Sequence, residues 1–159
     1  MKTEQLIRIM ALMLLLFAIA SCERGPEQIH YGSEECAYCR MIISEPQYGS
    51  QLVTKHGLVY KFDSIECLAA YDMSGEVQAD HVHSLWVPDF PAGPEWVPAE
   101  EAHYLHSESL RSPMGLSISA YSDYDEAVLH QQQYRGSVIG WDVVREIVKQ
   151  EWRLQHSQN

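Results

Sequence analysis

Residues 36–44 read CAYCRMIIS, which places two thiols and a thioether, Cys36, Cys39 and Met41, within six positions of a chain that has four cysteines. A C-x-x-C spacing brings two sulfurs close enough to bridge or to share one ion, and a methionine two residues later can face the same side of a strand. Soft thiolate and thioether donors select Cu(I) over hard cations, and the thioether binds without losing a proton. That donor set suits monovalent copper outside the cytoplasm. Three other chemistries use the same residues. A structural zinc site needs four Cys or His ligands; Cys67 with His81, His83, His103 or His106 could complete one, but the chain holds no second C-x-x-C and no H-x-x-x-H. A periplasmic thiol-disulfide oxidoreductase using Cys36 and Cys39 would need its C-x-x-C at a helix N-terminus, whereas RMIIS is β-branched and strand-like. A plain Cys36–Cys39 disulfide would make the chain a stabilised adaptor without metal.

A second thioether stands in SPMGLS, where Pro113 and Gly115 hold Met114 in a turn that can present it to solvent or to a cleft. Cys67, inside an apolar helical stretch, reads as packing rather than as a ligand. His81 and His83 have the two-residue spacing that aligns side chains on one face of a strand. They and His103 rank below the sulfurs as additional metal ligands.

The N-terminus determines which thiols are free for this work. Residues 1–21 form a secretory signal, with Lys2 and Arg8 before an apolar run from Ile9 to Ala20 that is too short to span a bilayer comfortably. IASC, ending at Cys22, resembles a lipobox, so Cys22 is expected to carry lipid and become the first mature residue. This makes the chain a membrane-anchored lipoprotein facing the periplasm, with Glu23 an ambiguous cue between inner and outer membrane. Three cysteines remain, Cys36, Cys39 and Cys67. In an oxidising compartment an odd count leaves one unpaired unless a metal or a transient partner engages it. With Lys2, Arg8 and Glu4 removed, 138 residues carry Lys+Arg 9 against Asp+Glu 21, a net charge of −12. Nucleic acid is excluded as a partner by this charge, and a cation or a basic protein face is attracted by it.

The elements that must position these groups follow from the pattern. Residues 22–34 read as a polar tether without core. RMIIS, Gln51–Lys55 and LVYKF are short strands, the last two joined by a turn at His56-Gly57. Asp63 or Ser64 caps a helix over IECLAAYDM that ends at Ser74-Gly75. HVHSLWVPDF is a strand with a bulge or two-sided burial, stopped by Pro88. After the proline-rich PDFPAGPEWVP the order repeats: AHYLHS, then SPMGLSISAYS, a helix over DYDEAVLHQQQ capped at Ser122 or Asp123, the strand GSVIGW, and a closing amphipathic helix DVVREIVKQEWRLQ with Val143, Val144, Ile147 and Trp152 on its apolar face. The fold class is α+β: two small ββαβ lobes packed together, over 35–92 and over 93–155, the second ending in the C-terminal helix.

CAYCRMIIS, QLVTKHGLVYKFDSIECLAAY, WVPDF with EWVPAEEAHYL, SPMGLSISAYS and GSVIGWDVV occur in order over roughly residues 34–145. In that string the chain resembles the NosL family, lipoprotein copper-binding accessory proteins of nitrous oxide reductase maturation. The resemblance implies a lipid-anchored protein of two ββαβ lobes, a topology also similar to part of organomercurial lyase. It further implies a copper chaperone rather than an enzyme. Its cargo would be Cu(I), its partners the membrane and the copper-cluster assembly proteins or nitrous oxide reductase, with no small-molecule substrate. Cys39 and Met41 match the family's Cys-Gly-Met segment and Met114 its Pro-Met-Gly turn. The implied ligands are therefore Cys39 and Met114 first, Met41 next, and Cys36 as an alternative thiol. Arg40 stands where the family usually has glycine, a departure that bears on the geometry of the turn.

Overall fold

Seven strands and three helices form two antiparallel sheets in the computed structural model, which describes residues 24–156. The signal expected over 1–21 and the lipid-bearing Cys22 lie outside the described residues. The first sheet has the order β2-β1-β3-β4, with β1 Ser50–Thr54, β2 Val59–Phe62, β3 Val82–Asp89 and β4 Gly93–Pro98. Helix α1, Ile65–Ser74, crosses between β2 and β3. The second sheet has the order β6-β5-β7, from β5 His103–His106, β6 Ile118–Tyr121 and β7 Ser137–Ile139. Helix α2, Tyr124–Tyr134, separates β6 from β7, and α3, Trp141–His156, closes the chain. Strand, strand, helix, strand thus occurs twice, as the repeat in the sequence suggested.

Local chemistry sets the helix boundaries. Ser64 takes an extended conformation, and its hydroxyl accepts from the Cys67 N–H at 3.1 Å, while Gly75 ends α1 in the left-handed region. Asp123 caps α2 by accepting from the Glu126 N–H at 3.0 Å. Six successive residues of α1, Ile65 to Ala70, are buried. A single apolar stripe cannot account for that; the helix is covered on one side by its own sheet and on another by α3. Val144 and Val148 of α3 are buried against it, and Arg145 reaches Asp72 at 3.6 Å. Val143, read as part of that apolar face, is instead 46% exposed. One continuous core draws Leu52, Phe62, Leu68 and Val87 from the first lobe together with Tyr104, Ile118 and Ala120 from the second. The Phe90 N–H to Ala120 carbonyl bond at 2.8 Å and the Ser122 hydroxyl to Asp89 bond at 2.6 Å fasten β3 to β6.

Three expectations are corrected. Residues 41–44 form no strand: Ile42 makes one isolated bridge to Glu35 because residues 36–41 are folded into a tight loop. The stretch expected to be free of core packs on the first sheet, with Ile29 3% exposed and the Gln51 amide bonded to both the N–H and the carbonyl of Glu27. Pro88 does not stop β3, which runs on to Asp89 with a register shift after Pro88. The proline-rich segment beyond it forms β4 and joins the first sheet, across the 92/93 division. Proline fits at Pro88 because the shift lies beside it, where the ladder is already broken.

Candidate metal centre

Cys36 and Cys39 lie on the loop that precedes the first sheet. The Cys36 N–H bonds the Met41 carbonyl at 2.8 Å, the Arg40 N–H bonds the Cys36 carbonyl at 3.1 Å, and the Ala37 N–H is held by the Lys61 carbonyl of β2 at 2.8 Å. Closing so short a loop requires a left-handed residue, and Arg40 fills that position with φ 66°. Glycine, the residue that the resemblance implies here, would take this conformation without the strain that a side chain brings.

The end of β2 supplies the other half. Asp63 follows Phe62 directly and is 1% exposed; its Oδ1 accepts from the Cys39 thiol at 3.4 Å, and its Oδ2 is buried with no hydrogen-bond partner. Cys67 lies in the first turn of α1 and is fully buried. The ligating atoms of Cys36, Cys39, Asp63 and Cys67 all fall within 4.8 Å of one another. Three soft donors and one carboxylate therefore converge at the N-terminus of a helix, where the backbone dipole favours negative charge. Cys36 is also fully buried and Cys39 is partly exposed, so the cluster opens to solvent on the Cys39 side.

All three thiols are free, and they hold their protons unequally. The Cys67 thiol donates to the Cys36 sulfur, and with help from the N–H groups of Cys39, Asp63 and Tyr38 it lowers the Cys36 thiol to about 6 against the desolvating effect of burial. Cys39 is pushed up to about 12, first by desolvation and then by its neighbours Cys36 and Asp63. The same bond that lowers Cys36 raises Cys67, and burial adds to it. The trio thus gives up one proton readily and resists losing more, as expected of thiols that share hydrogen bonds in a dry site. A soft cation would supply the charge that the second and third thiolates lack.

The methionines differ in placement. Met114 is partly buried and packs against the core that contains Cys36 and Cys67. Its turn is fastened to α1: the Ser112 hydroxyl donates to the Glu66 carboxyl and accepts from the Ser117 N–H at 2.9 Å. Glu66 adjoins Cys67, so this bond ties the Met114 turn to the helix that carries a thiol. Met41 is 47% exposed on the outside of the cysteine loop. Tyr38, between the two loop cysteines, stacks on Trp152 of α3 with centroids 5.3 Å apart.

The histidines are not gathered around the sulfurs. His81 lies in a 3₁₀ turn, Ala79–His81, before β3, and His83 in β3 bonds the Ser84 hydroxyl at 3.0 Å. The two line different depressions. His103 packs on Tyr124 in the second lobe. From the sequence, Cys67 reads as packing or as part of a zinc set and Asp63 as a helix cap, and neither is placed with Cys36 and Cys39 as a copper ligand. Their signal was present in FDSIEC: a carboxylate one residue before the helix cap and a thiol four residues later both stand at the same helix end, beside the chain leaving β2.

The model of the NosL family matches residues 28–148. The copper-binding lipoprotein NosL of Stutzerimonas stutzeri is 25% identical over 154 residues, covering 87% of this chain and 80% of that protein. The crystal structure of the copper chaperone NosL from Shewanella denitrificans superposes with a TM-score of 0.64 at 25% identity, over 74% of this chain and 93% of that one. These relatives are named a copper-binding lipoprotein and a copper chaperone, not enzymes.

Proposed function

Because the chain belongs to the NosL family, we propose that it is a lipid-anchored, periplasm-facing carrier that holds Cu(I) at Cys36, Cys39 and Cys67. It would pass the ion to the proteins that build the copper centres of nitrous oxide reductase. The convergence of three sulfurs and the Asp63 carboxylate within 4.8 Å carries this reading. Thiolates favour a cuprous ion over harder cations, and burial of two of the three sulfurs shields the ion from water and oxidant. Asp63 holds the Cys39 proton until the ion arrives and then faces the cationic centre.

Release needs an exposed ligand. Cys39 is the partly open thiol, Met41 stands outside it, and Met114 adjoins the same core. We assign Cys39 and the two thioethers to exchange, in which an acceptor's sulfurs replace them one at a time. No bond of a substrate is made or broken in this process. Anaerobic titration of the reduced chain with Cu(I) against a chromophoric chelator tests the reading. Cys39→Ser, Cys67→Ser and Met114→Leu should each weaken binding at least tenfold, about 1.4 kcal/mol, with the far-UV spectrum unchanged. Wild-type affinity in all three variants would remove the site.

A further inference from the structure

At the other end of β2 from Asp63 the chain brings two imidazoles together. His56 lies in the β1–β2 turn and His81 in the 3₁₀ turn before β3, and their ring centroids are 5.9 Å apart at an interplanar angle of 69°. The backbone that carries each ring is fixed. The Lys55 N–H bonds the His81 carbonyl at 2.8 Å, which locks the two turns to each other. The Gly57 N–H to Thr54 carbonyl bond at 2.9 Å and the Leu58 N–H to Thr54 hydroxyl bond at 2.9 Å fix the first turn. The His81 N–H to Gln78 carbonyl bond at 2.8 Å fixes the second.

We propose that His56 and His81 form a second metal site, for Cu(II), separate from the thiols. An imidazole nitrogen binds such an ion at about 2.0 Å, which puts each ring centroid roughly 3.1 Å from the metal. Two rings on opposite sides of one ion then stand about 6.2 Å apart, and closer as the angle at the ion narrows, so the observed 5.9 Å is compatible with a shared ion. Imidazole is a donor of choice for Cu(II), and the Irving–Williams order places Cu(II) above the other divalent first-row ions at a nitrogen site. Both rings line a depression of about 370 Å³ that Glu76, Thr54 and Tyr60 also border. The carboxylate adds negative potential on an already acidic surface. Among the described residues the thiol site is the only group of three or more candidate ligands. The pair therefore supplies two nitrogens, and water fills the remaining positions. A two-nitrogen site accepts the oxidised ion that the sulfur site disfavours, so the two ends of β2 divide the oxidation states of copper between them.

The test uses the full chain after its thiols have been saturated with Ag(I), a soft and redox-inert ion, so that added Cu(II) is neither reduced nor captured by sulfur. Electron paramagnetic resonance should show splitting from two nitrogens. Competition with a chelator should show at least a tenfold loss of Cu(II) affinity in His56→Ala and in His81→Ala. Both side chains are exposed, so far-UV circular dichroism should be unaltered. His30→Ala, which removes another exposed histidine, should bind as wild type. Wild-type affinity in either pair variant, or an equal loss in His30→Ala, overturns the proposal. Because the thiols are occupied in every sample, failure here leaves the Cu(I) titration unaffected, and failure of that titration leaves this one standing.

Discussion

The bond between Ser112 and Glu66 is the joint on which the Met114 turn depends, and Ser112→Ala measures its strength. Glu66 is fully buried, burial pushes its carboxyl up against the opposing effect of the Ser112 hydrogen bond, and its Oε2 has no partner. Removing the hydroxyl orphans two buried groups, the Glu66 Oε1 and the Ser117 N–H. Each unsatisfied group costs about 1–3 kcal/mol, so Ser112→Ala should lower unfolding free energy by about 2–6 kcal/mol, read from urea denaturation followed by tryptophan fluorescence. Glu66→Gln keeps an oxygen acceptor for the hydroxyl and should cost under about 1 kcal/mol. In a Glu66→Leu background the carboxyl is already gone, and Ser112→Ala should cost less than half of what it costs in the wild type, since removing both partners is gentler than removing one. The same Ser112→Ala variant should weaken Cu(I), because a loosened turn no longer holds Met114 against the cysteine helix. A loss below about 0.5 kcal/mol, the range of ordinary surface substitutions, or an undiminished cost in the Glu66→Leu background, would refute this account of the joint.

Arg40→Gly should stabilise the apo protein by about 0.5–1 kcal/mol, because it relieves left-handed strain of about 1–2 kcal/mol at φ 66° while adding some backbone entropy to the unfolded chain; denaturant midpoints of the two proteins check it. Asp72 supplies a pH dependence. Burial raises its carboxyl above the ordinary 3.8, with Arg145 opposing. A group raised in the folded state contributes stability that is present below its unfolded pKa and is lost as pH climbs through the folded one. Asp72→Asn should therefore gain on the wild type between pH 4 and neutrality and show a flatter profile in thermal melts at several pH values. Oxidising the chain with a mild disulfide before titration should weaken Cu(I) binding at least tenfold and reduction should restore it, since a bridged pair among Cys36, Cys39 and Cys67 leaves a single thiol to the site; metal analysis after desalting checks it.

Much of the fold was legible because it is local. Ser64 and Gly75 bound α1 through a hydroxyl cap and a left-handed glycine, both readable from residue type. The short apolar and β-branched runs in SQLVT and HSLWVPD read directly as strand. Cys36 and Cys39 declared themselves by spacing, and the string from CAYC to PMG identified the family. What the chain order concealed depends on pairing between distant segments. Whether the residues after Cys39 form a strand turned on the loop hydrogen bonds to Lys61 and on a positive φ at Arg40, and propensity carries neither. Cys67 looked like packing because burial and ligation require the same apolar surroundings. Only the docking of the 36–41 loop onto the end of β2 placed its sulfur beside two others and beside Asp63. His81 sat two residues from His83 in sequence yet faces His56, because a 3₁₀ turn rotates it away from β3. Residue type and short-range spacing determine which donors exist and which elements carry them; the directions in which those donors point are decided by long-range hydrogen bonds and a shared core, whose energies appear only when the two lobes pack.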